Sequence, residues 1–398
     1  MIKCEKKFLE WVEKNIDICF FICMVIVGMI IRYVLRNGMS DDSTYCLIPW
    51  YDEIVSKGKI NALQYQIGNY NMLYQFLIVC MTYLPINSLY AYKILSIMFD
   101  VLLAAAAMIL LKKISVKYNR NYGGILFLLV WLSPIVIINS SYWGQCDSIY
   151  VFWIIVSLIL LIDEKYYLSL LVLGIAFAFK LQTMFVLPIF LFVYFVKKSF
   201  SLLGFGIIPI TMIGCCLPNI IIGKRTILDV FKIYFEQTDW YKKISCNYSS
   251  IWLLLCDNNL DEMQYEMIKK YAILVTVVVL AGIMFFWLKK SIVLTERNII
   301  YMTFIMAYTC VLFLPSMHDR YTYLIEILAI LICFLNKKTI IGMIGMYIIT
   351  LMSYGSFLFG KTINLGAWAI INLIIYIFYL YLLNKELLED TVNALENN

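Results

Sequence analysis

Residues 16–35 read IDICFFICMVIVGMIIRYVL, a run with one acidic and one basic residue among twenty. A helix of ~20 apolar residues covers the ~30 Å hydrocarbon core of a bilayer. The run follows a charged N-terminal segment, and no small-residue cleavage site comes after it. We therefore expect a retained transmembrane helix here rather than a signal peptide.

Apolar runs of this kind recur along the whole chain. Of its 398 residues, 63% are hydrophobic and 15% are charged, whereas ~25% of a typical soluble protein is charged. This composition predicts an all-α, polytopic integral membrane protein. The net charge of +6 is too small to indicate a nucleic-acid partner. The twelve cysteines are scattered, mostly in apolar runs, although Cys246 and Cys256 share one polar loop and could pair.

Basic clusters between the apolar runs predict the orientation of the chain. Apolar length predicts about twelve transmembrane helices in one domain, 1–398, and the concentration of Lys and Arg in cytoplasmic loops then places both chain ends in the cytoplasm. The expected spans are 16–35, 90–111, 122–139, 149–162, 168–179, 184–196, 202–222, 271–288, 299–314, 321–335, 339–359 and 365–383. The loops 36–89 and 223–270 then lie outside. The apolar run 72–84 is too short to cross, and we expect an interfacial helix there.

Two adjacent carboxylates, Asp41 and Asp42, open the first external loop. One carboxylate could take a proton from a sugar hydroxyl as general base while its neighbour orients it. The pair would also suit a solvated loop or a helix cap. Pro49, Trp50 and Tyr51 follow closely, and aromatic residues of this kind hold a loop at the membrane interface. Their presence favours a functional carboxylate.

A second polar segment, 141–148, reads SYWGQCDS and joins two expected spans on the outer side. Gly144 permits a tight turn. Gln145 and Asp147 could hydrogen-bond a substrate hydroxyl or orient a cation. Alternatively, Asp147 could cap the helix that follows it.

Two further outer turns supply cations. Lys180 and Gln182 interrupt an apolar run, and a lysine at that depth lines a cavity, pairs with an anion or snorkels to the interface. We expect Lys180 to contact a phosphate. Residues 317–321 read MHDRY and hold the only histidine, His318, which could be structural. Arg320 suits a bidentate phosphate contact, to which His318 could add a hydrogen bond or a charge.

Lys93 and Asp100 are seven residues apart and share one face of an expected helix. About 10 Å separates them along the axis, at ~1.5 Å per residue. We therefore expect them to pair with other parts of the chain rather than with each other. Lys93 is near the outer end and could join a phosphate site, whereas we interpret Asp100 as structural.

Together these segments resemble the GT-C superfamily, multi-spanning glycosyltransferases that use lipid-phosphate sugars. The shared features are an early external aspartate and the turns Gly-Gln-x-Asp-Ser at 144–148, Phe-Lys-Leu-Gln at 179–182 and Met-His-Asp-Arg-Tyr at 317–321. The resemblance is closest to bacterial relatives of the GPI mannosyltransferase II family. The turns at 179–182 and 317–321 are also similar to those of the dolichyl-phosphate-glucose-dependent glucosyltransferases.

This resemblance implies a GT-C-like helical bundle and a catalytic Asp42, eight residues before Trp50, with Asp41 as its helper. The segment 68–71 resembles the start of the family's interfacial helix, which makes Tyr70 a candidate substrate contact. The family often has Asp and a Pro pair where this chain has Asn69 and Met72-Leu73.

The expected function is an inverting transfer of a hexose, with mannose favoured by the resemblance. The donor would be a polyprenyl-phosphate sugar and the acceptor a cell-envelope glycan or glycolipid at the outer face of a bacterial plasma membrane. The expected site comprises the catalytic residues Asp42 and Asp41, the phosphate contacts Arg320, His318, Lys180 and Lys93, and the substrate contacts Gln145, Asp147, Gln182, Trp50 and Tyr70. No cofactor is expected to be required, although Asp147 leaves a divalent metal open.

The alternative function is a transporter or flippase of lipid-linked saccharides. Transporters show internal repeats, broken helices and a binding site at the membrane midplane. In this chain the polar residues crowd one expected face, and no period of 20–50 residues is evident. The sequence therefore favours the transferase.

Overall fold

The computed structural model describes residues 2–115 and 120–396 as a nearly all-α bundle that is 80% helical. Residues 1, 116–119 and 397–398 of the expected domain lie outside the described residues. The helices are α1 (Lys3–Lys14), α2 (Ile16–Leu35), α3 (Ile48–Ser56), α4 (Met72–Met81), α5 (Ser88–Ile114), α6 (Arg120–Trp131), α7 (Pro134–Ile137), α8 (Asp147–Ile162), α9 (Tyr166–Phe179), α10 (Leu187–Lys197), α11 (Ile207–Cys215), α12 (Leu217–Ile221), α13 (Asp229–Trp240), α14 (Glu262–Lys289), α15 (Glu296–Phe313), α16 (Tyr323–Leu335), α17 (Ile340–Phe359) and α18 (Leu365–Glu396). Short 3₁₀ or π turns lie between some of them, at Ser43–Leu47, Lys59–Gln64, Ile138–Trp143, Leu181–Val186, Leu202–Gly206, Ile251–Leu254, Asp319–Thr322 and Lys337–Thr339.

Several helices suit a membrane. Among the described residues, α2, α5, α14, α18 and the stretch Lys337–Phe359 that contains α17 are long and apolar enough to cross one. A sixth crossing arises if Tyr122–Trp131 and Pro134–Trp143 form one broken span. The predicted all-α architecture with membrane-length helices is confirmed. The number of twelve crossings and the cytoplasmic position of both chain ends stay predictions.

Two of these helices have little protein around them. Only 11% of the most apolar window of α2 and 17% of that of α14 are buried inside the protein. Ile26, Ile30, Leu274 and Val278 are among their exposed side chains. Apolar surfaces of this extent suit the hydrocarbon of a bilayer better than they suit water.

The expected span at 122–139 is bent rather than straight. The observed helices on either side of the break differ in direction by 44°. Pro134 has no N–H group to donate, and it keeps Ser133 out of helical backbone (φ −54°, ψ 125°). α6 therefore ends at Trp131 and a new helix begins at Pro134.

The segment expected as the loop 223–270 is folded, and α14 begins within it at Glu262 instead of at Tyr271. The Asp261 carboxylate accepts from the Gln264 N–H (2.8 Å), and Gln264 Oε1 accepts from the Asp261 N–H (3.3 Å). This reciprocal capping satisfies two backbone donors, so the helix starts in a polar stretch that apolar length does not reveal.

A two-residue parallel ladder fixes the same segment against the turn before α16. Strand β1 (Ser245–Cys246) pairs with strand β2 (Met317–His318). Cys246 and Cys256, whose pairing the sequence left open, are both free thiols.

The helix expected at 72–84 forms as α4 and ends at Met81. Its side chains Met72, Tyr74, Ile78 and Val79 are buried, and the helix packs against α9 and α12. This packing places α4 inside the protein's own core. Its position at a membrane interface stays a prediction.

A buried ion pair joins α2 to α5. Arg32 donates to Asp100 Oδ2 through Nη2 (2.9 Å) and Nε (3.3 Å), and its guanidinium carbon lies 3.5 Å from the centroid of the Trp131 ring. Ser140 Oγ donates to the same carboxylate oxygen at 2.6 Å. A charge away from water needs such compensation, and Asp100 is structural as predicted.

Lys93 holds the chain that follows α2. Its ammonium donates to the carbonyls of Arg36 (2.9 Å) and Gly38 (2.7 Å). These contacts confirm that Lys93 and Asp100 pair with other parts of the chain. They also fix the segment that leads from α2 to Asp42.

The Arg32–Asp100 pair predicts non-additive stabilities. Arg32→Met or Asp100→Asn leaves one buried group without its partner, and each should destabilise the fold by ~3–5 kcal/mol. The double variant should lose less than the sum of the two, because no unpaired charge remains. Thermal unfolding in detergent measures all three.

The control is the exposed pair Lys385–Glu389, in which Lys385 Nζ lies 3.8 Å from Glu389 Oε1. Its single variants Lys385→Met and Glu389→Gln should each cost less than ~1 kcal/mol. Additive losses at Arg32 and Asp100, or single variants as stable as the unchanged protein, would contradict the interpretation.

Candidate functional site

Five side chains from four distant segments meet in what we call the polar cluster: Asp42, Gln145, Asp147, Lys180 and Arg320. Gln145 Nε2 donates to Asp42 Oδ2 at 2.8 Å, and Lys180 forms an ion pair with Asp147. Arg320 Nη1 donates to Gln145 Oε1 and lies 3.7 Å from Asp147 Oδ2. The four polar turns identified in the sequence are therefore neighbours in space.

The backbone around Asp42 is fixed by serines. Ser40 Oγ accepts from the Ser43 N–H (3.1 Å), and Ser43 Oγ donates to the carbonyl of Trp143 (3.2 Å). Asp42 Oδ2 accepts from both Trp143 Nε1 and Gln145 Nε2 at 2.8 Å. The Asp42 side chain nevertheless keeps 27% of its surface exposed. Two donors thus orient a carboxylate that a ligand can still reach.

Gln145 follows a turn that requires glycine. Gly144 has a φ of +77°, which other residues adopt only with strain. The Gln145 N–H then donates to the Asn139 carbonyl (2.9 Å). In the polar cluster, Gln145 Oε1 accepts from the Tyr70 hydroxyl (2.6 Å) and from Arg320. The side chain is buried.

Asp147 and Lys180 join the ends of two packed helices, since Asp147 begins α8 and Lys180 follows α9. Asp147 also accepts from Asn139 Nδ2 (2.8 Å), so its side chain serves these partners rather than capping α8. Burial acts to raise the pKa of Asp147, but the charges of Lys180 and Arg320 outweigh it and lower the pKa below its usual value. Asp147 is therefore an ionised partner of both cations.

His318 is a neutral member of the site. Its ring packs against Tyr241 and Tyr321, with ring centroids 4.9 Å and 5.1 Å away. Burial lowers the pKa of His318 to about 3, and the charges of Arg320 and Lys180 act in the same direction. The positive charge that the sequence left open for His318 is therefore absent at neutral pH.

A cavity of about 290 Å³ lies beside the polar cluster. Ligand sites commonly measure ~300–1,000 Å³, so this volume suits a small head group. Its polar lining includes Lys180, Gln182, His318, Arg320 and Tyr70. Its apolar lining includes Leu181, Met184, Phe185, Ile273 and Leu314.

Two buried polar atoms of this cavity lining have no hydrogen-bond partner within residues 2–115 and 120–396. They are Nε of Arg320, which is a donor, and Oε1 of Gln182, which is an acceptor. Leaving a buried polar group unpaired costs ~1–3 kcal/mol. Both atoms belong to side chains that line the same cavity.

Six predicted site residues lie outside the cavity lining: Asp42, Gln145 and Asp147, which belong to the polar cluster, and Asp41, Lys93 and Trp50. Asp41 is exposed, and Lys93 holds the backbone after α2. Trp50 packs edge-on against Tyr70, with ring centroids 6.0 Å apart. A Cβ atom at Gly68, whose φ is +71°, would lie 2.6 Å from the Trp50 ring, so this glycine lets the Tyr70 loop pack on it. Trp50 thus supports Tyr70.

Other residues of the site were not identified from the sequence. Trp143 orients Asp42, and Asn247 binds Asp319. Gln237, Trp240 and Tyr241, at the end of α13, line the cavity together with Asn69, Lys269, Pro315, Ser316, Met317 and Tyr321. The cluster of aromatic and amide residues at 237–241 was the available signal, but nothing local connects it to the other turns.

No known protein family's model matches the chain, and no curated protein matches it significantly. Within the part of the chain that the structure describes, no group of three His, Cys, Asp or Glu residues could hold a metal ion. Metal dependence stays a prediction.

Asp319 is a buried carboxyl next to the polar cluster, and it accepts from Asn247 Nδ2 at 3.0 Å. Burial raises its pKa from 3.8 to about 7, against the lowering effect of the Arg320 charge. The Asp319 carboxyl contributes its full stabilisation at pH values below its pKa in the unfolded chain. This stabilisation is lost as the pH rises through the folded-state pKa of about 7.

Replacing Asp319 should therefore change how stability depends on pH. The thermal midpoint of Asp319→Asn, relative to that of the unchanged protein, should be several degrees higher at about pH 8 than at about pH 5. Unfolding scans in detergent at both pH values test this. Asp257→Asn, at an exposed carboxyl, should show no such trend. Equal pH dependence in Asp319→Asn and the unchanged protein would refute the assignment.

Proposed function

We propose that this chain is an inverting glycosyltransferase. It moves a hexose, with mannose favoured, from a polyprenyl-phosphate donor to a hydroxyl of a cell-envelope glycan or glycolipid at the outer face of the cell membrane. The observation that carries the proposal is one cavity lined by the cations Lys180 and Arg320 and by the amide of Gln182, beside an oriented Asp42. A hexose phosphate offers the matching acceptor and donor.

Each part of the donor has a matching surface. A phosphate oxygen would accept from the Arg320 guanidinium and from Lys180, which both line the cavity. A sugar hydroxyl would hydrogen-bond the Gln182 amide, and neutral His318 would add an uncharged hydrogen bond. The isoprenoid would lie along the apolar lining that reaches Ile273 on α14, a helix with exposed apolar side chains.

The charge of the polar cluster suits the increase in negative charge on the donor phosphate during the reaction. A polyprenyl-phosphate sugar carries one negative charge, which rises toward two as the sugar leaves. Asp147 and the ionised Asp42 offset the charges of Lys180 and Arg320 before the reaction, and Asp42 loses its charge when it takes the proton of the acceptor. The site therefore binds the singly charged donor moderately and stabilises the departing phosphate more strongly, which is what lowers a barrier. No metal or other cofactor is required in this scheme.

The chemical step transfers one proton and one sugar. The acceptor hydroxyl gives its proton to Asp42 as its oxygen forms a bond to the anomeric carbon. The bond between that carbon and the phosphate oxygen breaks, and the electron pair leaves with the polyprenyl phosphate. Attack opposite the leaving group inverts the anomeric centre. The Arg320 guanidinium is near the base, with Nη2 4.0 Å from Asp42 Oδ2.

Labelled polyprenyl-phosphate mannose, glucose and galactose, each added to membranes that contain the chain, test this function. Label should move from the lipid phosphate to another molecule for at least one hexose. Asp42→Asn should lower kcat about 100-fold or more, since a general base contributes ~10²–10⁴. Asp41→Asn should lower it less than about tenfold, because the exposed Asp41 carboxylate lies outside the polar cluster.

Membranes without the chain serve as the control. Full transfer by Asp42→Asn would reject the assigned base. Movement of the labelled lipid between leaflets without any transfer of sugar would instead support the flippase alternative and reject the transferase.

A further inference from the structure

Both polar atoms of the Gln145 side chain are hydrogen-bonded to other parts of the protein. Nε2 donates to Asp42, and Oε1 accepts from Tyr70 and Arg320. Only 2% of the residue is exposed, and it is absent from the cavity lining. The substrate contact expected for Gln145 from the sequence therefore does not fit its surroundings.

The orientation of the Gln145 amide follows from its neighbours. The guanidinium of Arg320 has only donors, and an ionised Asp42 carboxylate has only acceptors. Turning the amide over would set its NH₂ group against the guanidinium and its oxygen against the carboxylate. Arg320 therefore fixes the orientation of the Gln145 amide, and in this orientation Gln145 Nε2 donates to Asp42.

The two oxygens of Asp42 are consequently unequal. Oδ2 accepts from Trp143 Nε1 and Gln145 Nε2 at 2.8 Å and is the oxygen that faces Arg320 Nη2 at 4.0 Å. Oδ1 has no hydrogen-bond partner within the described ranges 2–115 and 120–396. A base needs one oxygen free for the incoming proton and a fixed direction for that oxygen.

We propose that Gln145 is a positioning residue that holds Asp42 Oδ2 so that Oδ1 receives the proton of the acceptor hydroxyl. The inference rests on the proposed glycosyltransferase function. It assigns Gln145 an action through Asp42 and not through contact with the sugar. Trp143 supports the same oxygen from its indole N–H, so it provides an independent variant. The other titratable or charged groups that act on the surroundings of Asp42 are Cys46, Tyr70, Tyr241, Asp319 and Arg320.

The test uses full-length Gln145→Met, Gln145→Glu and Trp143→Phe in membranes, with polyprenyl-phosphate mannose as the probe donor. Each variant should lower kcat about 10- to 100-fold with the donor KM within about threefold, because the base is misdirected while the cavity is unchanged. The acid limb of the pH–rate profile should move to higher pH, by about 1 unit in Gln145→Glu and by less in Gln145→Met. A second carboxylate, or a lost donor, makes a carboxylate harder to ionise.

Gln264→Met is the matched control, because Gln264 caps α14 outside the polar cluster. It should keep the original profile. A raised KM with kcat and pH profile unchanged would show that Gln145 binds substrate and would overturn the inference, as would three variants with unaltered kinetics. If the Gln145 variants do not fold, the result for Trp143→Phe decides between these outcomes.

The outcomes separate this inference from the function on which it rests. Failure of the function is seen in the unchanged protein, which would transfer no hexose, or in Asp42→Asn, which would remain fully active. Failure of the inference requires an active protein that depends on Asp42 but is indifferent to Gln145 and Trp143.

Discussion

A charge removed from water must find an opposite charge, and the buried pair Asp147–Lys180 meets this requirement for the whole site. The pair ties the start of α8 to the end of α9, and Asp147 also attracts Arg320 at 3.7 Å. Arg320 in turn binds Gln145, which binds Asp42. The contacts of Arg320, Gln145 and Asp42 therefore form one continuous series that begins at this ion pair.

The sequence predicted those helices whose ends coincide with a change from apolar to polar residues. α2 was predicted as 16–35 and forms as Ile16–Leu35, because the hydrophobic run itself determines its length. α14 begins earlier than predicted because the hydrogen bonds of Asp261 and Gln264 start it within a polar stretch. The 44° bend before Pro134 was missed for the opposite reason, since the apolar run continues through the proline.

For the site, the sequence could indicate which turns are polar but not how their atoms pair. Asp42 and Gln145 are 103 residues apart, and Gln145 and Arg320 are 175 apart, so their hydrogen bonds leave no periodicity in the sequence. Lys93 is an example of a residue whose partner the sequence alone could not identify. A lysine near the outer end of an expected span fits either a phosphate or a backbone carbonyl, and only the fold shows that Gly38 and Arg36 accept from it.

The buried polar side chains of the site differ in whether their atoms have hydrogen-bond partners. Both polar atoms of the buried Gln145 amide have protein partners, whereas Gln182 Oε1 and Arg320 Nε, in two residues that line the cavity, are buried without a partner among the described residues. An unpaired buried group costs stability, so a fold selected for stability alone would pair or expose it. Unpaired buried atoms also occur away from the cavity, among them both side-chain polar atoms of Asn219 and Oε2 of Glu326. What distinguishes the cavity is that two cations, Lys180 and Arg320, line it together with the Gln182 amide, and this combination favours an anionic ligand that also carries a hydroxyl group.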